Sequence, residues 1–419
     1  MRYIAFALLL IRAAACQQNY SYERNYHTAK EYWTQGRFQE AEWSMRAALA
    51  AADNSGTEDA RLPAVLFDLS EIYRIQGKYA DAEPLLLRLL AIREKDANAG
   101  NADLTKALEA LARVYRSQAK YDEAESLYRR SLELKEKALG PVSMDLLPTM
   151  ESLVKIGQAK HKYADSEKLL ARAIAIRESH QGADHPDVAA EYTNLGRVFV
   201  AEKKLIEAEP LYQRTLQILV KNYGFEDAKL CPALDALAVL YREMTRFTDA
   251  EPLLRQSLWI RDNTSGPVHQ DVAQSLDNLA SLYYTMKRYA DAEPLYRRSL
   301  GIWIQLLGPD HSVVATSLDN LAVVVALQRK YADAEALYKR ALAIRDGEDA
   351  SSLHNLALVQ VAMDKNKDAD LLYKRLLTMV DSSEGVRSQS IAAVLKEYAE
   401  VLRKLNRVSQ AAKLEARAK

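Results

Sequence analysis

The sequence predicts an all-α repeat solenoid, and three observations lead to it. The stretch Tyr289-Ala290-Asp291-Ala292-Glu293-Pro294-Leu295-Tyr296 recurs in near-copies starting at Phe38, Tyr79, Tyr121, Tyr163, Leu205, Phe247, Tyr289, Tyr331, Asn366 and Val408. Successive starts lie 41, 42, 42, 42, 42, 42, 42, 35 and 42 residues apart, a period at which each unit buries its apolar face against its neighbours. At 419 residues the chain is too long for one compact core, whereas a stack of short units has no such limit. The composition is helical: 49% apolar, with only 14 glycines and 11 prolines. About ten helix-turn-helix units are expected.

Taken in order, the chain begins with Met1-Arg2, an apolar run from Tyr3 to Ile11, and Ala13-Ala14-Ala15 before Cys16. This order resembles a secretory signal peptide, residues 1–15, and the apolar run is too short to span a bilayer. Small residues before a cysteine also resemble the lipobox of bacterial lipoproteins, which implies lipidation at Cys16 and a short tether over 16–22. Arg12 and Ala13 depart from that pattern, and the alternative is an amphipathic N-terminal extension on a cytoplasmic protein. Export, as a periplasmic or membrane-anchored lipoprotein, is the expectation. It fits the cysteine usage, since a lipidated Cys16 leaves Cys231 without a partner to mispair with.

The seventh unit shows how one repeat is built. Val272, Leu276, Leu279, Ala280 and Tyr283 line one face of a first helix that Asp271 is placed to cap. Lys287-Arg288 marks the turn. A second helix starts near Tyr289, because Pro294 fits best in or near a first turn, and Gly308-Pro309 ends it. Ala292, Leu295, Tyr296, Ser299, Leu300 and Ile302 form its buried side.

The resulting pattern is Leu-Ala-x-x-Tyr, a short turn, then Tyr-x-x-Ala. It resembles the tetratricopeptide repeat, and the 42-residue length with Gly-Pro-Asp-His loops is similar to kinesin light chains. The resemblance covers residues 23–419 and implies a right-handed superhelix. Small residues at 41, 82, 124, 208, 250, 292, 334, 369 and 411, with Ser166 in the same column, let paired helices approach closely. Leu69, Leu111, Leu153, Leu195, Leu237, Leu279, Leu321 and Leu356 form the first-helix core. Leu205, Asn366, Val408 and Gly157 depart from the pattern, as does the 35-residue step, so the fourth and ninth units are expected to be looser joints. A polar final helix, Ser409 to Lys419, is expected to cap the array.

A reactive centre is not apparent. No phosphate loop, nucleophile elbow or paired-histidine helix motif occurs, so no catalytic, cofactor or metal residue is assigned. His185, His269 and His311 occupy equivalent loops a whole helix pair apart, about 10 Å or more, too far to share a metal. Asp291, Glu293 and their copies sit where a helix dipole favours negative charge. Cys231 before Pro232 is either a reactive thiol or a structural one. The 57 basic residues balance 57 acidic ones, leaving no net field to attract nucleic acid or an anionic membrane.

The tetratricopeptide resemblance implies a concave surface lined by first helices, into which the residue before the core leucine points. That column reads Asp68, Ala110, Ser152, Asn194, Ala236, Asn278, Asn320 and Asn355. Asparagine donates and accepts, so Asn194, Asn278, Asn320 and Asn355 can hold an extended peptide backbone; the alternative is that they shape the groove by touching neighbouring helices. Arg113, Arg116, Arg197, Arg242 and Tyr284 flank it as candidate anchors, and the arginines suggest an acidic or carboxylate-terminated partner. Asp235, Asp277 and Asp319 nearby make the surface mixed. The expected function is a non-enzymatic scaffold binding a protein or peptide, with contact to a membrane only through the N-terminal anchor. The alternative is a peptide-responsive regulator whose superhelix changes pitch.

Overall fold

A computed structural model describes residues 20–54, 60–96, 101–382 and 389–418. Those residues are helical throughout, with short turns and no strand. α1 covers residues 20–34. It is followed by α2 (Phe38–Asp53), α3 (Leu62–Ile75), α4 (Tyr79–Lys95), α5 (Asn101–Ser117), α6 (Tyr121–Leu139), α7 (Leu147–Ala159), α8 (Tyr163–Gln181), α9 (Pro186–Ala201) and α10 (Leu205–Tyr223). Then come α11 (Cys231–Glu243), α12 (Phe247–Ser265), α13 (Gln270–Thr285), α14 (Tyr289–Leu307), α15 (Ser312–Leu327), α16 (Tyr331–Ile344), α17 (Ala350–Ala362), α18 (Asn366–Ser382), α19 (Gln389–Lys404) and α20 (Val408–Arg417). α3, α5, α7, α11, α13, α15, α17 and α19 are each the first helix of a hairpin and pack on the even-numbered helix that follows.

The chain forms two compact bodies, Met1–Leu211 and Tyr212–Lys419. In the first, Met45, Leu66, Leu69, Leu86 and Leu108 centre one core and Leu146, Met150 and Leu153 another. In the second, Leu230 and Leu234, then Val272 and Leu276, then Tyr373 and Leu402 do the same. The small column is at 0% exposure at every alanine and at Ser166, and each core leucine is buried.

The turns explain the regular hairpins. In the seventh repeat the Lys287 N–H donates to the Tyr284 carbonyl (2.9 Å) and the Arg288 N–H to that of Tyr283 (2.8 Å), with Lys287 at φ 59°. This left-handed closure satisfies helix-end carbonyls, and it recurs at Gly36, Gly77, Ala119, His161, Lys203, Thr245, Arg329, Asp364 and Asn406. Thr245 at φ 58° is the one β-branched residue among them, so Thr245→Gly should raise stability by about 0.5 to 1 kcal/mol, as read by urea unfolding. Lys287→Gly, without a branched Cβ, should gain less.

Several sequence expectations are corrected. His269, not Asp271, caps α13: its Nδ1 accepts the Asp271 N–H at 3.2 Å, and His185 and His311 cap α9 and α15 in the same way. The three histidines are therefore helix caps, which satisfy an orphan N–H with a ring nitrogen where serine or aspartate is usual. Pro294 stands inside α14, as Pro84, Pro210 and Pro252 stand inside their helices. All four face solvent, where the carbonyl each would have bonded can turn to water.

The final helix is Val408–Arg417, and its Glu415 pairs with Arg403 at the surface at 2.6 Å. At the other end, residues 20–22 of the expected tether belong to α1. Tyr22 is buried, stacked on Tyr26 at 5.5 Å and under the Arg61 guanidinium at 4.6 Å. Cys16 and the signal-like segment lie outside the described residues. No helix among the described residues is long and apolar enough to cross a membrane.

Candidate functional site

The acidic columns are explained by cross-repeat pairing. At many of the turns the basic residue that closes the turn reaches the glutamate or aspartate on the second helix of the preceding repeat. Lys78–Glu42 (2.6 Å), Lys120–Glu83 (2.9 Å), Lys162–Glu125 (3.3 Å), Arg288–Glu251 (2.9 Å), Lys330–Glu293 (2.7 Å), Lys365–Glu335 (2.6 Å) and Arg407–Asp370 (2.8 Å) all do so. Arg288 also lies over the Tyr283 ring at 4.4 Å. Asp291 pairs with Arg288 of its own turn (2.7 Å), so these carboxylates act through specific cations more than through the helix dipole.

Lys330, helped by Arg297 and Gln328, holds the Glu293 carboxyl at about 2, against an ordinary 4.5. The folded value lies below the unfolded one, so its stabilisation is complete above about pH 4.5 and is lost as pH falls towards 2. Lys330 is half exposed, and solvent screening limits the effect to about 1 to 2 kcal/mol. Glu293→Gln should therefore be less stable at pH 7 and show a flatter acid limb in a thermal-melt pH series.

These clamps hold the first helices side by side. Arg113 on α5 meets Glu71 on α3 at 2.8 Å, Arg242 on α11 donates to Ser281 on α13 at 3.4 Å, and His354 on α17 contacts Glu397 on α19 at 2.5 Å. One position before the asparagine column, carboxylates turn inward to a second-helix cation. Glu109 takes Lys135 (2.6 Å) and Thr149 (2.5 Å), Asp235 takes Arg261 (2.8 Å), and Asp319 takes Arg345 and Ser352 (2.9 Å). Asp277 differs because Trp303 occupies the cation's place: its Oδ2 is 3.4 Å from the indole Nε1 and its Oδ1 is buried without a partner. Burial pushes the Asp277 carboxyl up, and the Ser299 hydroxyl and the indole only partly oppose this.

The candidate column itself divides between the two bodies. Asp68 is buried and bonded by Tyr26 (2.6 Å) and Lys30 (2.8 Å), so it serves the fold. Asn194 lies in the first body and Asn278, Asn320 and Asn355 in the second. Asn278 accepts from Gln274 of its own helix at 3.1 Å. Asn194, Asn320 and Asn355 have no side-chain hydrogen-bond partner among the described residues, and Asn320 is exposed.

Of the flanking candidates, Arg113 is neutralised by Glu71, while Arg116 and Arg197 in the first body have no ion pair among the described residues. Tyr284 is 42% exposed with its ring 6.0 Å from Tyr289. Sequence reasoning missed Val239, Leu327 and Leu358, exposed apolar residues three or seven positions after the asparagine column and hence on its stripe. Counting column offsets for exposed apolar residues would have found them.

Cys231 is buried, with its Sγ 3.7 Å from the Ser257 carbonyl, and burial pushes its thiol up, away from reactivity. Among the described residues no three metal-ligating side chains come together.

Stacked helical hairpins presenting a side-chain column define a repeat protein of the helix-turn-helix class. The tetratricopeptide repeat profile matches residues 29–95, 61–137, 149–221, 229–305 and 271–346, more than half of the chain, which therefore belongs to that family. Proteins of this family generally mediate protein–protein interaction and are generally non-enzymatic scaffolds.

No curated protein matches the chain. Similar solved structures include BtubC (BKLC) from P. vanneervenii, at 21% identity and a TM-score of 0.46, covering 55% of this chain and 90% of that one. A putative kinesin light chain from Podosopora anserina with nearly identical repeats matches at 24% identity and 0.44, covering 48% and 94%. The apo form of RapI matches at 13% and 0.46, covering 67% and 97%.

Proposed function

We propose that the protein is a non-enzymatic scaffold that captures a segment of a partner protein on its first-helix face. The observation that carries this reading is the asparagine column: Asn320 and Asn355 offer both donor and acceptor groups and spend neither on the fold. Because the helices are ordered before binding, ordering costs fall on the incoming segment. The balanced charge disfavours nucleic acid as the partner. The order of residues at the N-terminus supports export with Cys16 as lipid anchor, and mass spectrometry of the mature N-terminus tests it: an acylated Cys16 upholds the anchor and an intact Met1 removes it.

The binding reading is tested by the Asn278→Ala, Asn320→Ala double variant. Losing two amide contacts of about 1 kcal/mol each should weaken capture of the partner in a pull-down titration roughly thirtyfold. Thermal unfolding should barely change. An equal loss of folding and binding would make the column structural.

A further inference from the structure

We propose that the first-helix face formed by α13, α15 and α17 in the second body selects an uncharged, extended segment bearing apolar side chains. This rests on the capture reading above and names the chemistry of the segment. α13, α15 and α17 together contain no lysine or arginine. Their stripes run Asn278, Ser281, Thr285; then Asn320, Val323, Leu327; then Asn355, Leu358, Ala362, at i, i+3 and i+7, so each amide is followed on the same face by small or apolar groups. Leu327 is 47% exposed, Tyr284 42%, and Val239 and Leu358 39% each.

Most charges beside the asparagines are spent within the fold. Asp235 is taken by Arg261, Asp319 by Arg345 and His354 by Glu397, while Asp271 stays exposed at the start of α13, two turns before Asn278. Arg242 leans on Ser281, and Asp277 is tucked against Trp303, where burial favours its neutral form. Around Asn278, Asn320 and Asn355 the face is thus matched to a neutral ligand, and a charged side chain laid there would lose water without gaining an ion-pair partner.

The amides set the conformation of that ligand. Neighbouring first helices lie about 10 Å apart, and an extended chain advances about 3.3 Å per residue, so the amide steps from Asn278 to Asn355 are spanned by about six residues. Main-chain groups would bond the asparagines while alternate side chains cover Tyr284, Leu327 and Leu358. The free arginines Arg116 and Arg197, which suggest an acidic partner, belong to the first body and do not enter this surface.

The test uses the full chain and three fluorescent peptides of roughly ten residues, long enough for an extended segment to cross the face. One alternates leucine with serine; the others place aspartate or lysine at the serine positions. Fluorescence anisotropy should show the neutral peptide binding at least about tenfold tighter than either charged one, with little dependence on salt.

Leu327→Glu and Leu358→Glu should each weaken it about tenfold or more while the melting temperature holds, whereas Leu371→Glu, exposed on α18, should leave binding intact. Tightest binding of the aspartate peptide, lost in Arg242→Ala, overturns the inference. So does tightest binding of the lysine peptide, lost in Asp277→Asn, and so does neutral-peptide binding that ignores both leucine variants. In those cases the capture reading survives. Failure of all three peptides to bind overturns this inference, and a partner whose capture ignores the asparagine double variant overturns the capture reading instead.

Discussion

Leu276→Ala is expected to lower the unfolding free energy by about 2 to 5 kcal/mol, the largest effect of any single change considered for this chain. Leu276 is at 0% exposure in a cluster with Val272, Ala273 and Ile302 of its own repeat, against which Leu258, Leu295 and Trp303 pack. Leu258 belongs to α12, so the cavity opens at the junction of two repeats and the surrounding helices can close on it only in part. In an array where each repeat is stabilised by its neighbours, the damage should spread to the sixth and seventh repeats together. Urea unfolding followed by circular dichroism gives the magnitude, and hydrogen exchange should show α12 to α14 losing protection as a group. Leu327→Ala, on the exposed face, should cost little. Equal costs at both positions would mean that the junction is not where this body keeps its stability.

Ala292→Leu is expected to destabilise by about 1 to 3 kcal/mol for the opposite reason, too much volume. Ala292 is fully buried where α14 crosses α13, and three added carbons have nowhere to go without parting the hairpin. The fourth repeat shows how finely this contact is set. There the column holds Ser166, and a Cβ placed on Gly157 of the facing helix would lie 2.4 Å from the Ser166 Oγ. The extra hydroxyl is accommodated because the residue across from it has no side chain. In the seventh repeat the residue equivalent to Gly157 is Tyr283, a buried side chain. Differential scanning calorimetry should show a clear fall in melting temperature for Ala292→Leu, and no fall would mean that the hairpin can open at low cost.

Gly157 and Ser166 also show what was legible in the chain and what was not. Read along the sequence, Gly157 is a departure that suggests a looser joint, and Ser166 is a small residue in its column with no link to it. In space they are a single complementary fit. The core leucines, the small column, the turn positions and the start of α14 at Tyr289 were all readable, because the 42-residue period repeats the same local problem many times. The cap of α13 was misplaced by two residues because the His269 ring nitrogen does the work assigned to Asp271. The asparagine column was legible by its register, but the apolar companions Leu327 and Leu358 were not singled out, since a leucine near a helix end reads as core until its exposure is known.

By itself the sequence determined that this protein is a helical repeat array of the tetratricopeptide kind, since apolar spacing and turn chemistry are local and act within each hairpin. Tertiary structure decided which columns meet. Glu293 finds Lys330 of the next repeat, Asp319 finds Arg345, and Asp277 finds Trp303 where its equivalents have a cation. A period assigns every residue to a column, but whether a charge is spent inside or left for a partner depends on what the adjoining helix places within about 3 Å of it.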